Sequence, residues 1–236
     1  MPYEETHTFG ATDILGLATA DFEFVSNEIA GSKDSAIPKD AGGEFIPAAH
    51  ATFNEKDEFT ANYVAKKVGA VTPPAIVLGE DKSGYHITGA KLGSTNTGHV
   101  TLAVSAHKHI GGQAGTAHKV NKHTIVWPDG VDGFGAFDPF AKGEVSSGVP
   151  VAQLQSSSYD VSIEHVDAQD HKGEFLVGRS QGVKVEASLE AVTDVKTVAD
   201  PTGWKIVGRD VKEGNEGFHG LSLRGEMYPG TAWATE

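Results

Sequence analysis

One phrase stands twice in this chain, and it limits what the chain can fold into. Residues 84–111 read GYHITGAKLGSTNTGHVTLAVSAHKHIG, and residues 203–230 read GWKIVGRDVKEGNEGFHGLSLRGEMYPG. At one constant offset Gly84 meets Gly203, Tyr85 meets Trp204, Ile87 meets Ile206 and Gly89 meets Gly208; further on, Asn96 meets Asn215, Gly98 meets Gly217, Leu102 meets Leu221 and Gly111 meets Gly230. Glycine and asparagine mark backbone positions with special dihedral needs, so matches among them in register carry architectural information. Each copy predicts a strand, an Asn-x-Gly turn and a returning strand. Tyr85 and Ile87 share one strand face, whereas Leu92 falls on the opposite parity; Trp204, Ile206 and Val211 repeat the pattern. A bulge beside Gly89 and Gly208 would restore the face, because an interior strand glycine is where a bulge is expected. On the returning strand Val100, Leu102, Val104 and Ala106 are assigned to the core; Thr101, Ser105, His107 and His109 are assigned outward.

Two further anchors repeat in the same order. Residues 21–25 (DFEFV) alternate and are echoed by 159–164 (YDVSIE), and the phrase Gly43-Glu44-Phe45-Ile46 returns as Gly173-Glu174-Phe175-Leu176. Residues 182–192 (GVKVEASLEAV) form the clearest strand, with Val183, Val185, Ala187 and Leu189 on one face and Lys184, Glu186, Ser188 and Glu190 on the other. The expected fold is mainly β, with two similar β-sandwich or barrel-like units arising from internal duplication and few short helices. The expected organisation is a first β unit over 1–112, a connecting segment with an aromatic loop over 113–152, and a second β unit over 153–236. A further strand is expected over 60–65, and residues 31–47 (GSKDSAIPKDAGGEFIP) are expected as a long loop, since Gly, Pro and Asp oppose regular structure. The aromatic loop 132–140 (DGFGAFDPF) sets three phenylalanines on a turn-rich segment. They either plug the seam between the units or dock on a neighbouring subunit.

Composition narrows the function classes. A formal charge of −13 argues against general nucleic-acid affinity, which needs a basic footprint. No cysteine is present, which removes disulfides and thiolate metal sites. No apolar run approaches the ~20 residues of a membrane span, and the first residues lack the features of a signal peptide, so no membrane association is expected. Ser156, Ser157 and Ser158 near His165 and Asp167 lack the strand-turn-helix context of a nucleophile elbow. The glycines precede no helix that could hold a phosphate. No enzyme activity and no cofactor are expected.

Histidine is the one candidate for hidden chemistry. His86, His99, His107, His109, His118 and His123 fall within one third of the chain. His107 and His109 are two apart on a predicted strand and would share a face at about 7 Å, a spacing that can seat a divalent metal, with His99, His118 or His123 as a third ligand. The echo has Glu226 and Tyr228 in their places, and neither a cupin-type carboxylate nor HExxH accompanies them. The expectation is therefore no metal, with His107 and His109 on an outward or subunit-facing strand and no three ligands converging.

The acidic, cysteine-free, β-rich character, the duplicated hairpins, the segment 31–47, and the phrases YDVSIEHVDAQDHKGEFLVG and GVKVEASLEAVTD together resemble tail tube or major tail proteins of tailed bacteriophages. The resemblance implies β-sandwich subunits stacked as rings around a lumen, with the long loop reaching the next ring. It implies a homo-oligomer of rings or a helical tube, contact with other virion proteins, DNA that passes without specific binding, and residence in the virion after synthesis in the host cytoplasm. On this reading segments 31–47 and 132–140 lie between subunits, and deleting 33–42 leaves a folded protein that no longer polymerises. Capsid decoration, baseplate and surface-filament proteins share these features. A His-dependent metal-binding or carbohydrate-handling β protein is the rival from another class.

Overall fold

The computed structural model describes residues 12–46, 51–110, 119–120, 122–141, 154–169, 175–193, 199–213 and 218–229. The chain is mainly β, and no helix occurs among the described residues. Its strands are β1 (Phe22–Ala36), β2 (Ala51–Ala65), β3 (Val77–Leu78), β4 (Asp81–Lys82), β5 (Tyr85–Thr95), β6 (Thr101–His109), β7 (Lys119–Val120), β8 (His123–Thr124), β9 (Leu154–Gln169), β10 (Phe175–Thr193), β11 (Lys205–Glu213) and β12 (His219–Met227). Ten of them form one sheet, whose main path runs β1-β2-β6-β5-β9-β10-β12-β11. Where the sequence predicts two sandwich or barrel-like units, a single sheet continues through both halves, joined where β5 pairs antiparallel with β9 from Gly89↔Ser162 to Thr95↔Ser156. The short pair β3-β8 lies outside it.

The path has an internal order. In β1-β2-β6-β5 the four long strands of the first half stand as first, second, fourth, third; β9-β10-β12-β11 stand in the same order in the second half. The irregularities match as well. Register shifts occur between Ile87 and Gly89 in β5 and between Ile206 and Gly208 in β11, beside the glycines where the sequence predicts them. An extra residue also sits between Phe24 and Ser26 on β1 and between Leu154 and Ser156 on β9, next to the β2 and β10 positions that pair with Leu102 and Leu221.

One sheet face is apolar. Phe59, Ala61 and Tyr63 of β2, Leu102, Val104 and Ala106 of β6, and Val185, Ala187 and Leu189 of β10 are all buried, as alternation predicts for a sheet with one covered face. The cover is largely coil: Leu15 and Leu17, then Val71, Ile76 and Leu78, then Ile125, Val131, Phe137 and Phe140. The opposite face is built of small and polar residues. There Ser158 and Ser188 share a hydrogen bond of 2.7 Å, the Ser156 hydroxyl donates to Glu190 at 3.1 Å, and Lys184 pairs with Glu186 at 2.6 Å and Glu226 at 2.9 Å.

Segment 31–47 is not a loop throughout. Residues 31–36 extend β1 and pair with β2 as far as Ala36↔Ala51. The long pairing partner supplies hydrogen bonds that local composition does not advertise. Near the tip, the Asp40 carboxylate accepts the N–H groups of Gly42 at 2.8 Å and Glu44 at 2.9 Å, while Gly43 takes φ +85°, a conformation glycine adopts without steric cost. A deletion of 33–42 would therefore cut into β1 as well as the tip. The strand predicted at 60–65 is likewise the end of a longer one, since β2 begins at Ala51.

The aromatic loop 132–140 belongs inside the chain. Phe137 and Phe140 are buried, and Phe134 is exposed with its ring edge-on to His99 at 5.5 Å. The loop touches both halves of the sheet: Gly135 accepts a hydrogen bond from Ser94 at 2.7 Å, Phe137 N–H donates to Ser157 at 3.2 Å, and Phe140 stacks edge-on with Trp204 at 5.0 Å. A Cβ on Gly133 would sit 1.9 Å from the Lys67 carbonyl oxygen, so only glycine fits where this loop crosses residues 67–71. Of the two readings of these phenylalanines, the seam is the one observed for Phe137 and Phe140, and their assignment to a contact between subunits is corrected.

Candidate functional site

The histidines converge at one end of the joint between the two halves. β5 begins at Tyr85, just after the tight β4–β5 hairpin, in which Ser83 and Gly84 both take positive φ. Its neighbours run past that point: β6 continues to His109 and β9 to Gln169. Side chains from the ends of β6 and β9 therefore meet at the start of β5, where β5 still pairs with β6 at His86↔His107 but its ladder with β9 has ended at Gly89↔Ser162.

His107 and His109 come from β6, His165 and Asp167 from β9, and one ligand-capable atom of each lies within 4.8 Å of those of the others. Asp167 shares a hydrogen bond of 2.7 Å with His165 Nε2 through one carboxylate oxygen, and His109 Nε2 stands 3.1 Å from the other. The His107 ring centroid stands 4.5 Å from that of His165 and 5.1 Å from that of His109. His86, which faces His107 across the β5–β6 ladder, closes the group, with ring centroids 5.4 Å from His107 and 5.1 Å from His165. Its Nδ1 lies 3.1 Å from the Asp81 carboxylate, within hydrogen-bond reach.

Burial sets the electrostatics. The side chains of His86, His109 and His165 are 1%, 4% and 9% exposed. Burial, followed by the neighbouring imidazoles His165, His109 and His86, pushes His107 down to about 3, so it is a neutral ring at neutral pH. Burial lowers His86 too, against the pull of Asp81. Burial alone would raise the Asp167 carboxyl, but the His109 and His165 imidazoles at its two oxygens hold it well below the usual carboxylate range. The site is a carboxylate enclosed by imidazoles, which is a ligand set for a borderline divalent transition metal.

The expectation that His107 and His109 face outward without converging ligands is overturned: both are enclosed, and four candidate ligands come together. The partners are not those the sequence suggests. His99 is exposed against Phe134, His123 pairs with Leu78 in the small sheet, and His118 lies outside the described residues. His165 and Asp167 are the missing pair; the one local signal was their His-x-Asp spacing, two apart on a strand like His107 and His109. They form no triad with the nearby serines. Ser158 lies seven residues along the strand from His165, about 23 Å at the rise of an extended chain, and Ser157 accepts the Phe137 N–H.

The corresponding corner of the second half is of another kind. Glu226 and Tyr228 occupy the positions of His107 and His109; Glu226 pairs with Lys184 at 2.9 Å and accepts the Tyr228 hydroxyl at 3.1 Å. No helix among the described residues is long and apolar enough to cross a membrane. No family model matches this sequence, and no curated protein matches it.

Proposed function

We propose that the chain is a structural subunit of a ring-shaped or tubular homopolymer, the tail tube of a tailed bacteriophage, serving as a conduit for DNA and carrying no catalytic activity. The observation that carries this reading is the repeated strand order of one open sheet. We read the two four-stranded halves as duplicated units. Among the described residues the sheet ends on β1 at one side and β11 at the other. Inside the chain, the third strand of the first unit (β5) pairs with the first strand of the second (β9). The two free edges are a third strand (β11) and a first strand (β1). A second copy can therefore make the same joint from outside, head to tail, and repetition closes a ring or continues as a helix.

The internal joint supplies a register for the external one. Gly89, Leu92 and Thr95 of β5 face Ser162, Tyr159 and Ser156 of β9. Carrying β5 onto β11 by the shared bulge at Gly89 and Gly208, and β9 onto β1 by the shared bulge before Ser156 and Ser26, sets Val211 opposite Ile29 of the next copy and Lys212 opposite Glu28. Leu92 is fully buried in the internal joint, whereas its counterpart Val211 is 49% exposed on the free edge. The polar face, with its serines and Lys–Glu pairs, suits the lumen, where a net acidic protein repels phosphate and lets DNA pass without specific binding. The tip of the β1–β2 hairpin would reach toward the next ring.

Negative-stain microscopy of the full chain at high concentration tests the reading. Rings or tubes of uniform diameter are expected. A protein that stays monomeric at high concentration contradicts it; a flat lattice or a solid filament favours a decoration or surface-filament role.

A further inference from the structure

We propose that His107, His109, His165 and Asp167 form a structural binding site for one divalent transition metal of the zinc class, which staples β6 of the first half to β9 of the second. The ligand atoms already lie within 4.8 Å of one another. Ligands about 2.0–2.1 Å from a tetrahedral zinc stand about 3.4 Å apart, so closure needs side-chain shifts of about 1 Å and no change in the strands. Three imidazoles and one carboxylate are nitrogen and oxygen donors that suit zinc, cobalt or nickel rather than calcium or magnesium. Four protein ligands fill a tetrahedral shell and leave no open position for substrate, which marks the site as structural rather than catalytic.

The position of the site gives it a use. The two halves are joined by the β5–β9 ladder and by the aromatic loop, and the chain has no cysteine to staple them. The cluster lies at the start of β5, past the last β5–β9 pair, where β6 and β9 still run on. A metal there would tie the overhanging strands to each other directly. On binding, each ligating imidazole nitrogen must be unprotonated, so any proton it carries moves to the other ring nitrogen or leaves to solvent, and no electron is transferred. His86 flanks the shell, oriented by Asp81. In the second half the equivalent corner is held by the Lys184–Glu226 pair, so one metal per chain is the expected stoichiometry.

The test uses the untagged full chain, stripped with chelator and titrated with Zn²⁺ or Co²⁺. The expected result is one ion per chain, an intense visible spectrum of tetrahedral Co²⁺ that Zn²⁺ bleaches, and a rise in melting temperature with Zn²⁺. His165→Gln and Asp167→Asn, checked for folding by circular dichroism, should each weaken Zn²⁺ binding by about 100-fold or more, while His99→Gln leaves it unchanged. Absence of stoichiometric binding, a pale octahedral Co²⁺ spectrum, or wild-type affinity in folded His165→Gln and Asp167→Asn would overturn the site. The Co²⁺ spectrum of the wild-type chain decides the matter even if a variant fails to fold.

Discussion

Phe140 packs its ring against Trp204, and a Cβ on Gly225 would come within 2.8 Å of it. Phe140→Ala should therefore cost about 3–5 kcal/mol in urea unfolding, the range for an emptied aromatic site. Phe134→Ala, at an exposed ring, should cost less than about 1 kcal/mol. Equal small effects would return Phe140 to a surface role. The buried tyrosines set the alkaline limit. Tyr63 donates its hydroxyl to Asp13 at 2.6 Å and Tyr159 donates to the Val126 carbonyl at 3.1 Å. Burial raises both phenols, and the Asp13 carboxylate raises Tyr63 further. The folded pKa lies above the unfolded one, so this stabilisation is complete below about pH 10 and is lost as the pH climbs beyond it, where only the unfolded phenol ionises. Urea midpoints should fall between pH 9 and pH 11, by less in a Tyr63→Phe, Tyr159→Phe variant; identical slopes in the two proteins would refute this. The candidate site was half legible at this scale. His107 and His109 stand out by spacing, but His165 and Asp167 join them only through a β5–β9 ladder between segments some 60 residues apart, which no local pattern encodes.

Among the elements, β5, β6, β11 and β12 were the most legible, because glycine marks the bulges and alternation marks the faces; Gly89 and Gly208 stand beside register shifts as their sequence context predicts. The β1–β2 arm was the least legible. Its outer half is written in glycine, serine, lysine and aspartate, and it becomes strand because each half supplies the other's backbone partners from Gly31↔Asp57 to Ala36↔Ala51. The edges of the sheet carry a testable charge pattern. In the register proposed for assembly Lys212 of β11 faces Glu28 of the next copy, and cross-strand ion pairs of this kind are worth about 0.2–1 kcal/mol each. Lys212→Glu should weaken polymerisation severalfold by setting like charges opposite, without altering the melting temperature of the isolated chain by more than a degree or two. Combining it with Glu28→Lys should restore assembly. Sedimentation velocity reads both, and a double variant no better than the single one would argue for another register.

At the scale of the molecule, one sheet has an apolar covered face and a polar one, and its edge strands β11 and β1 hold the same places in the strand order as β5 and β9, which form the internal joint. In the proposed head-to-tail assembly no new kind of contact is needed, and the polar face is the one assigned to the channel. If each chain supplies two four-stranded units, three chains make a ring of six, and the mass of the closed species gives the count directly. The natural absence of cysteine makes the central claim accessible to one experiment. Cysteines at Ile29 and Val211, positions predicted to face each other across the junction between copies, lie at a separation a disulfide can span only if the strands pair in that register. Mild oxidation of Ile29→Cys, Val211→Cys protein is predicted to give covalent oligomers that end in one closed species, and neither single variant should do so beyond dimers. Polymers visible by microscopy that fail to cross-link through this pair, or a double variant that stays a free-thiol monomer, would contradict edge-to-edge assembly.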